Sequence, residues 1–270
     1  MIPAEYFPFS SPRYELKIGA SPIGPESHLF EVGPLYREEL ALKRDCMLAV
    51  ANYYCQTLPG SEMAQAELLE VARCATKLAI PDGGIRAVGD HVQEDLLLLD
   101  LSRPGLPLIA GHLCFANAWC LDDKLGRPFM EIHGPVPGFS TSIGPSSEKL
   151  IERLKAERPV TRLNWAVKST GQLDLTNRWD AQVRKWNDMV SSDNAGERCW
   201  MRVERQTFSR LPQSNTVLFT VRTYTQPVAT LDADHQSLLL GVLQSCPEAM
   251  LRYKGIWPFV SPLVDYLSSR

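Results

Sequence analysis

The chain has 270 residues, 44% hydrophobic and 22% charged, which is enough apolar material for a sizeable core with room for a buried cofactor. Its 28 basic and 31 acidic residues leave a net charge of -3, so nothing marks a nucleic-acid backbone as a partner. Apolar runs such as Leu96 to Leu99 are too short to cross a bilayer, and the first nine residues lack the basic and apolar regions of a secretory signal. The expectation is a cytoplasmic protein without a membrane partner.

Residues 1–35 are rich in Pro, Gly and Ser and read as an irregular N-terminal arm, with a short strand at Tyr14 to Ile18. A helical segment follows over 36–92. Leu40, Met47, Leu48, Ala51 and Tyr54 fall at helical spacing and predict a helix over 36–56. A second helix is expected over 61–79, with Ser61 as N-cap and Leu68, Leu69, Val71, Ala72 and Ala75 facing the core. Pro81-Asp-Gly-Gly84 ends it.

The sheet core is expected over 93–230. Glu94 to Leu101 and Leu106 to Leu121 read as strands joined around Arg103-Pro-Gly105. Residues 122–145 are rich in proline and glycine and read mostly as loop around His133. A short helix is expected over 146–157, with Ser146 or Ser147 as its cap, then a strand at Leu163 to Lys168 and a helix at Asp180 to Val190. The clearest feature is a hairpin, Cys199 to Phe208 with Thr216 to Thr225. Its arms alternate with period two, so Arg202, Glu204 and Gln206 share one face of the first arm and Thr220, Arg222 and Tyr224 share one face of the second. Matching the two polar faces would make either a polarised pocket or an ordinary solvated sheet face. Helices are expected over 231–270, beginning with Asp234 to Cys246. The fold class is therefore α+β, in one domain.

Seven widely spaced cysteines contain no CxxC, which argues against a zinc site or an iron–sulfur cluster held by this chain alone. There is no GxGxxG, P-loop, GxSxG or HExxH. Of the five histidines, His133 stands out in Glu131-Ile-His-Gly-Pro-Val-Pro-Gly138, because prolines stiffen the chain behind an imidazole that could ligate iron. A hydrogen-bonded structural histidine in a tight loop fits the same residues. His112, in Ile109-Ala-Gly-His-Leu-Cys-Phe115, is the fallback ligand, and His28 and His235 read as surface or capping residues. Trp119, Trp165, Trp179 and Trp186 read as core and surface-cap residues.

Several segments, in order along nearly the whole chain, resemble the family of the heme-dependent oxidative N-demethylase alpha subunit. They include Tyr6-Phe-Pro-Phe9, Tyr14 to Gly19, Tyr36-Arg37, Gln93 to Leu96, Phe115 to Trp119, Lys124-Leu-Gly126, Ile132 to Gly138, Asn164-Trp165, Arg202 to Thr207, Arg210-Leu-Pro212 and Phe219 to Tyr224. The resemblance implies a PAS-like antiparallel sheet with flanking helices that encloses heme b. It implies a monooxygenase that oxidises a small amine with O2 and releases formaldehyde, with folate an associated cofactor. NADPH-derived electrons would come through flavin and an iron–sulfur cluster. This chain carries no motif for either, so a separate electron-donor reductase is expected.

On this resemblance, His133 becomes the proximal iron ligand and Lys124, Arg127, Arg202 and Arg205 become candidate partners of the heme propionates. Glu204 would hold a substrate ammonium, Arg222 would polarise bound O2, and Tyr224 would orient it or relay a proton. A heme-based gas or redox sensor and a heme-free ligand-binding module are the competing readings.

Overall fold

Two twelve-residue strands, β6 (Trp200–Leu211) and β7 (Thr216–Pro227), form the axis of the computed structural model, which describes residues 1–24 and 28–270. Both are rich in Val, Thr, Phe and Arg with period-two alternation, and they pair without a break from Trp200↔Pro227 to Leu211↔Thr216. The other strands are β1 (Ser21–Pro22), β2 (Cys55–Thr57), β3 (Asp95–Asp100), β4 (Leu108–His112) and β5 (Val160–Lys168). The sheet of seven runs β1-β5-β6-β7-β3-β4-β2, with every named pair antiparallel.

Ten helices surround the sheet among the described residues: α1 (Tyr36–Tyr54), α2 (Glu62–Thr76), α3 (Gly84–Gly89), α4 (Phe129–Ile132), α5 (Gly144–Glu152), α6 (Asp180–Asp188), α7 (Ala195–Arg198), α8 (Ala233–Ser245), α9 (Glu248–Tyr253) and α10 (Val260–Ser268). None is long and apolar enough to cross a membrane.

The register divides the core. On one face, Leu97, Leu99, Val217, Phe208 and Phe219 pack under α4 and α5 through Phe129, Phe139, Ile151 and Leu154. The opposite face is covered in two lobes. Helices α2 and α3 pack on Leu96, Leu98, Ala110 and Leu218. Helices α7 to α10 pack on Val167, Met201 and Val203. Each fully buried leucine or valine contributes roughly 1.5–3 kcal/mol by leaving water, so both faces are held. The middle of the second face, between the lobes, is polar. There Arg222 pairs with Glu39 of α1 at 2.6 Å, and Arg205 pairs with Glu31 of the arm at 3.3 Å.

Several expectations need correction. The arm has no strand at Tyr14 to Ile18; its strand is β1, paired to β5 at Ser21↔Thr161. Residues 25–27 of the arm lie outside the described residues. The long strand expected over Leu106 to Leu121 is only β4. Leu106 and Ala118 take left-handed backbone conformations, φ 52° and 61°, that a strand cannot hold. Between them, the N–H groups of Cys114 and Phe115 leave the ladder to donate to the Asp95 carboxylate at 2.8 Å each. The first helix stops at Tyr54 because Cys55 pairs with His112. Leu48, expected in its core stripe, is 84% exposed, and Ala75 of α2 is exposed too. Ser61 does not cap α2; its hydroxyl donates back to Leu58 O at 2.7 Å. Helix α5 starts at Gly144, with Pro145 in its first turn, and Ser147 donates to Ile143 O rather than capping.

Arg222 is 2% exposed, and its partner Glu39 also accepts from Gln93 Nε2 at 2.6 Å. Replacing only Arg222 by Leu would strand a buried carboxylate. The expected cost is about 3–5 kcal/mol in a urea titration, and the joint change R222L with E39L should recover much of it.

Candidate functional site

The antiparallel register settles which hairpin residues meet. Glu204 sits opposite Asn164 of β5 and Thr223 of β7, whereas Arg205 is opposite Arg222 and Val203 opposite Tyr224. Directly opposed residues share a face. Arg202, Glu204 and Gln206 therefore lie with Arg162, Asn164 and Lys168, on the side of α4 and α5. Arg222, Tyr224 and Arg205 lie on the other side. The expected union of Glu204 with Arg222 and Tyr224 is thus wrong by one residue of register, which exchanges the faces.

Glu204 is the hub of its face. Its carboxylate accepts from Asn164 Nδ2 at 3.1 Å, from Gln206 Nε2 at 3.0 Å and from Arg202 Nε at 3.5 Å. Cations gather around it. Lys254, just beyond α9, donates to Trp165 O at 2.7 Å and Asn164 Oδ1 at 3.4 Å, and Lys168 donates to Lys254 O at 2.7 Å. Lys124 lies 4.3 Å from the Trp119 ring centre and Lys254 lies 4.6 Å from that of Trp165. Lys124, Arg162, Lys168, Arg202 and Lys254 all feel the Glu204 charge, which favours their protonated forms. Burial opposes it and prevails. Lys168 is pushed down to about 7 and Lys124 and Lys254 to about 8, and Arg162 is lowered as well. Glu204 thus acts on five desolvated basic side chains, with Asp123 also acting on Lys124, Asp180 on Lys168, and Asp95 and Asp174 on Arg202; the Nε of Arg162 is buried without a partner among the described residues.

His133 follows α4 in the segment between β4 and β5. Its Nδ1 is 2.8 Å from Phe129 O, and its ring stacks on Phe139 with centres 4.6 Å apart. Burial pushes its pKa down to about 4, with the backbone hydrogen bond opposing and Lys124 and Arg162 assisting. The imidazole is therefore neutral at physiological pH. Its Nδ1 is committed to a carbonyl, which leaves Nε2 as the lone-pair nitrogen. Arg162, Asn164 and Lys254 also line a cleft of ≈ 90 Å³, whose outer wall is the arm from Pro8 to Lys17.

The remaining candidates are placed elsewhere. Tyr224 and Tyr6 both donate to the Glu31 carboxylate, Arg205 donates to His28 O at 2.6 Å, and Arg222 donates to Thr223 O at 3.0 Å. Arg127 is an exposed loop residue. Arg202 is 1% exposed and anchored on Phe115 O and on Leu173 O. His112 is fully buried beside Asp90, and His235 stacks on Phe7 next to the α8 cap Asp232. Arg162, Asn164, Lys168 and Lys254 are the residues sequence reasoning missed. The first three alternate along β5 with the parity of a buried polar face, a signal open to reading. Lys254 carries none, because only the packing of the C-terminal helices brings it to β5.

An antiparallel α+β scaffold with a buried, cation-rich polar cluster on one sheet face is the class these features define. The chain belongs to the family described as "Haem-dependent oxidative N-demethylase, alpha subunit-like", whose family model matches residues 73–264. That span runs from α2 into α10 and contains His112, His133 and the whole Glu204 face.

The depressed Lys168 has a consequence for stability. Its folded pKa of about 7 lies below the ordinary lysine value, so between those two pH values the unfolded chain binds more protons than the folded one. Its contribution therefore makes stability rise with pH from about 7 towards about 10. K168M should flatten that rise by up to one proton in urea titrations across the window. Lys124 and Lys254 add to the slope in the same direction.

Proposed function

We propose that this chain is the heme-binding subunit of an oxidoreductase that oxidises the N-methyl group of a small amino-acid-like amine with O2. The observation that carries the proposal is the gathering of buried basic side chains around Glu204, together with an Arg162 Nε that has no partner among the described residues and a neutral imidazole with a free nitrogen. A dianionic porphyrin with an iron to ligate matches that donor set. The family membership points the same way. The order of the five central strands, second-first-fifth-fourth-third counted from β3, supports the PAS-like reading, with His133 in the segment that covers one face.

In this reading His133 Nε2 would ligate the iron of heme b, and Lys124, Arg162 and Arg202 would hold its propionates. Bound heme supplies the electron-transfer chemistry that activates O2. The protein side chains do the rest. Asn164 and Gln206 hold the Glu204 carboxylate in one orientation, ready to accept the substrate N–H or to take its proton. Lys254 and Lys168, left over once propionates neutralise their neighbours, meet a substrate carboxylate. The cleft beside Arg162, Asn164 and Lys254 is sized for a small molecule rather than a peptide. Overall, an N-methylamine, O2, two electrons and two protons become the demethylated amine, formaldehyde and water. The electrons come from a separate electron-donor reductase. Arg222, Tyr224 and Arg205 have no part at this site, since each is tied to the arm, to α1 or to backbone on the opposite face.

The purified protein should show a Soret band. H133A should lose heme and recover it with added imidazole, whereas H112A should keep it. E204Q should weaken binding of an N-methyl amino acid while leaving the Soret band in place. NADPH alone should support no sustained amine oxidation, and adding a reductase should produce amine-dependent oxygen uptake. A chain that takes up no heme, or in which H112A alone removes it, overturns the assignment.

A further inference from the structure

Outside the Glu204 face, one cluster of metal-binding side chains has no role in the chemistry above. Asp95 at the start of β3, His112 at the end of β4 and Cys114 just beyond it bring one donor atom each to within 4.8 Å of one another. All three residues are fully buried. We propose that Asp95, His112 and Cys114 form a structural site for a single zinc ion, with water, or Cys46 of α1 after a side-chain shift, in the fourth position.

The geometry favours a small tetrahedral cation. His112 Nδ1 lies 3.9 Å from Cys114 Sγ. Bonds of about 2.0 Å to nitrogen and about 2.3 Å to sulfur set these atoms about 3.5 Å apart in a tetrahedron, so closure needs only a few tenths of an ångström there. The histidine is aimed from behind. Its Nε2 faces Asp90 Oδ1 at 3.4 Å, and neither atom has another hydrogen-bond partner among the described residues. Drawn together, they make the carboxylate–imidazole pair that orients a ligating histidine, with Nε2 carrying the proton and Nδ1 free for the metal. The ring also lies so close to Gly89 that no Cβ would fit there.

Asp95 retains acceptor capacity. Its two oxygens each take one backbone N–H, from Cys114 and Phe115, and a carboxylate has about four lone-pair positions. Lys43 lies 3.8 Å from Asp95, but its ammonium donates to Gly89 O, Val92 O and Glu94 O. Cys46 packs against Cys114 and reaches Asp174 Oδ2 at 3.9 Å. Zinc rather than calcium or magnesium follows from a thiolate and an imidazole in the donor set. Binding would release the Cys114 thiol proton to solvent, and the thiolate, with the Asp95 carboxylate that it would share with Lys43, would offset the charge of the dication. The site would also tie β3 to the end of β4, one residue from the Phe115 carbonyl that holds Arg202 against Glu204.

The test uses the full chain, stripped of metal with a chelator and dialysed against zinc chloride. Zinc and iron are counted separately, so the answer does not depend on heme content. The expected result is one zinc per chain and a raised melting temperature. C114S should fall to background zinc while C199S, a buried cysteine elsewhere, keeps its zinc. Cobalt in place of zinc should give a thiolate charge-transfer band that C114S lacks. Should C114S fail to fold, D90N carries the test, with zinc affinity expected to drop about 10- to 100-fold. Background zinc in the folded wild-type chain overturns the site. So does zinc affinity unchanged in both C114S and D90N.

Discussion

The pairing of β6 with β7 and β5 is the constraint on which the arrangement of the molecule depends. The ladder between β6 and β7 runs for twelve residues from the turn outward, and the turn closes it at Leu211↔Thr216. Side chains alternate with a period of two, so this one register decides the side on which every arginine of the hairpin emerges. It puts Arg202 and Glu204 towards α4 and α5, and Arg205 and Arg222 towards the arm and α1. Leu218 opposite Ser209, and Val217 opposite Arg210, lock it, since a slip of one residue would carry the apolar sets of both cores into the wrong layers.

The two faces then handle buried charge in different ways. On the arm side each arginine has its own carboxylate, Glu31 for Arg205 and Glu39 for Arg222, and the tyrosines complete the acceptors. That arrangement matches each arginine with a carboxylate, although Arg205 Nη1, Arg222 Nε and Glu94 Oε2 are buried without a partner among the described residues. On the other side, Glu204 is shared among several cations whose charged forms burial disfavours. A folded protein tolerates such an imbalance only at a cost. Imbalance of this kind is characteristic of a site that completes itself with a ligand. The difference in charge balance is what supports the proposed placement of the heme on the Glu204 face.

The arm joins the two faces. Tyr6 and Glu31 close over the Arg205 and Tyr224 layer, Ile2 N donates to Gln226 Oε1 at 3.1 Å, and the arm from Pro8 to Lys17 walls the cleft beside Lys254. A segment with little regular structure is thus held by buried polar partners and aromatic contacts, such as the edge of Phe9 on Trp165 at 4.9 Å. It shapes access to the Glu204 face from outside the region matched by the family.

Much was legible in the amino-acid order, because local forces set it. The α+β class, the hairpin, the strand at Asp95–Asp100 and helices α1, α2, α6 and α8 follow from periodicity and turn chemistry acting over a few residues. His133 and Glu204 came forward as site residues through the family resemblance rather than through these local forces. The length of β4 did not follow, because Asp95, some twenty residues earlier, takes the N–H groups that would have extended it. The company that Glu204 keeps did not follow either. Alternation gives the parity within each strand, but the relative phase of two strands is a property of their pairing. Lys254 and Lys168 approach each other, and Asp95, His112 and Cys114 converge, only when distant strands and helices pack. The sequence alone determined the fold class, the hairpin and most of the helices, because periodicity and turn chemistry act over a few residues. Tertiary structure decided which side chains share a face, because burial, and with it the strength of every charge, exists only once the layers have closed.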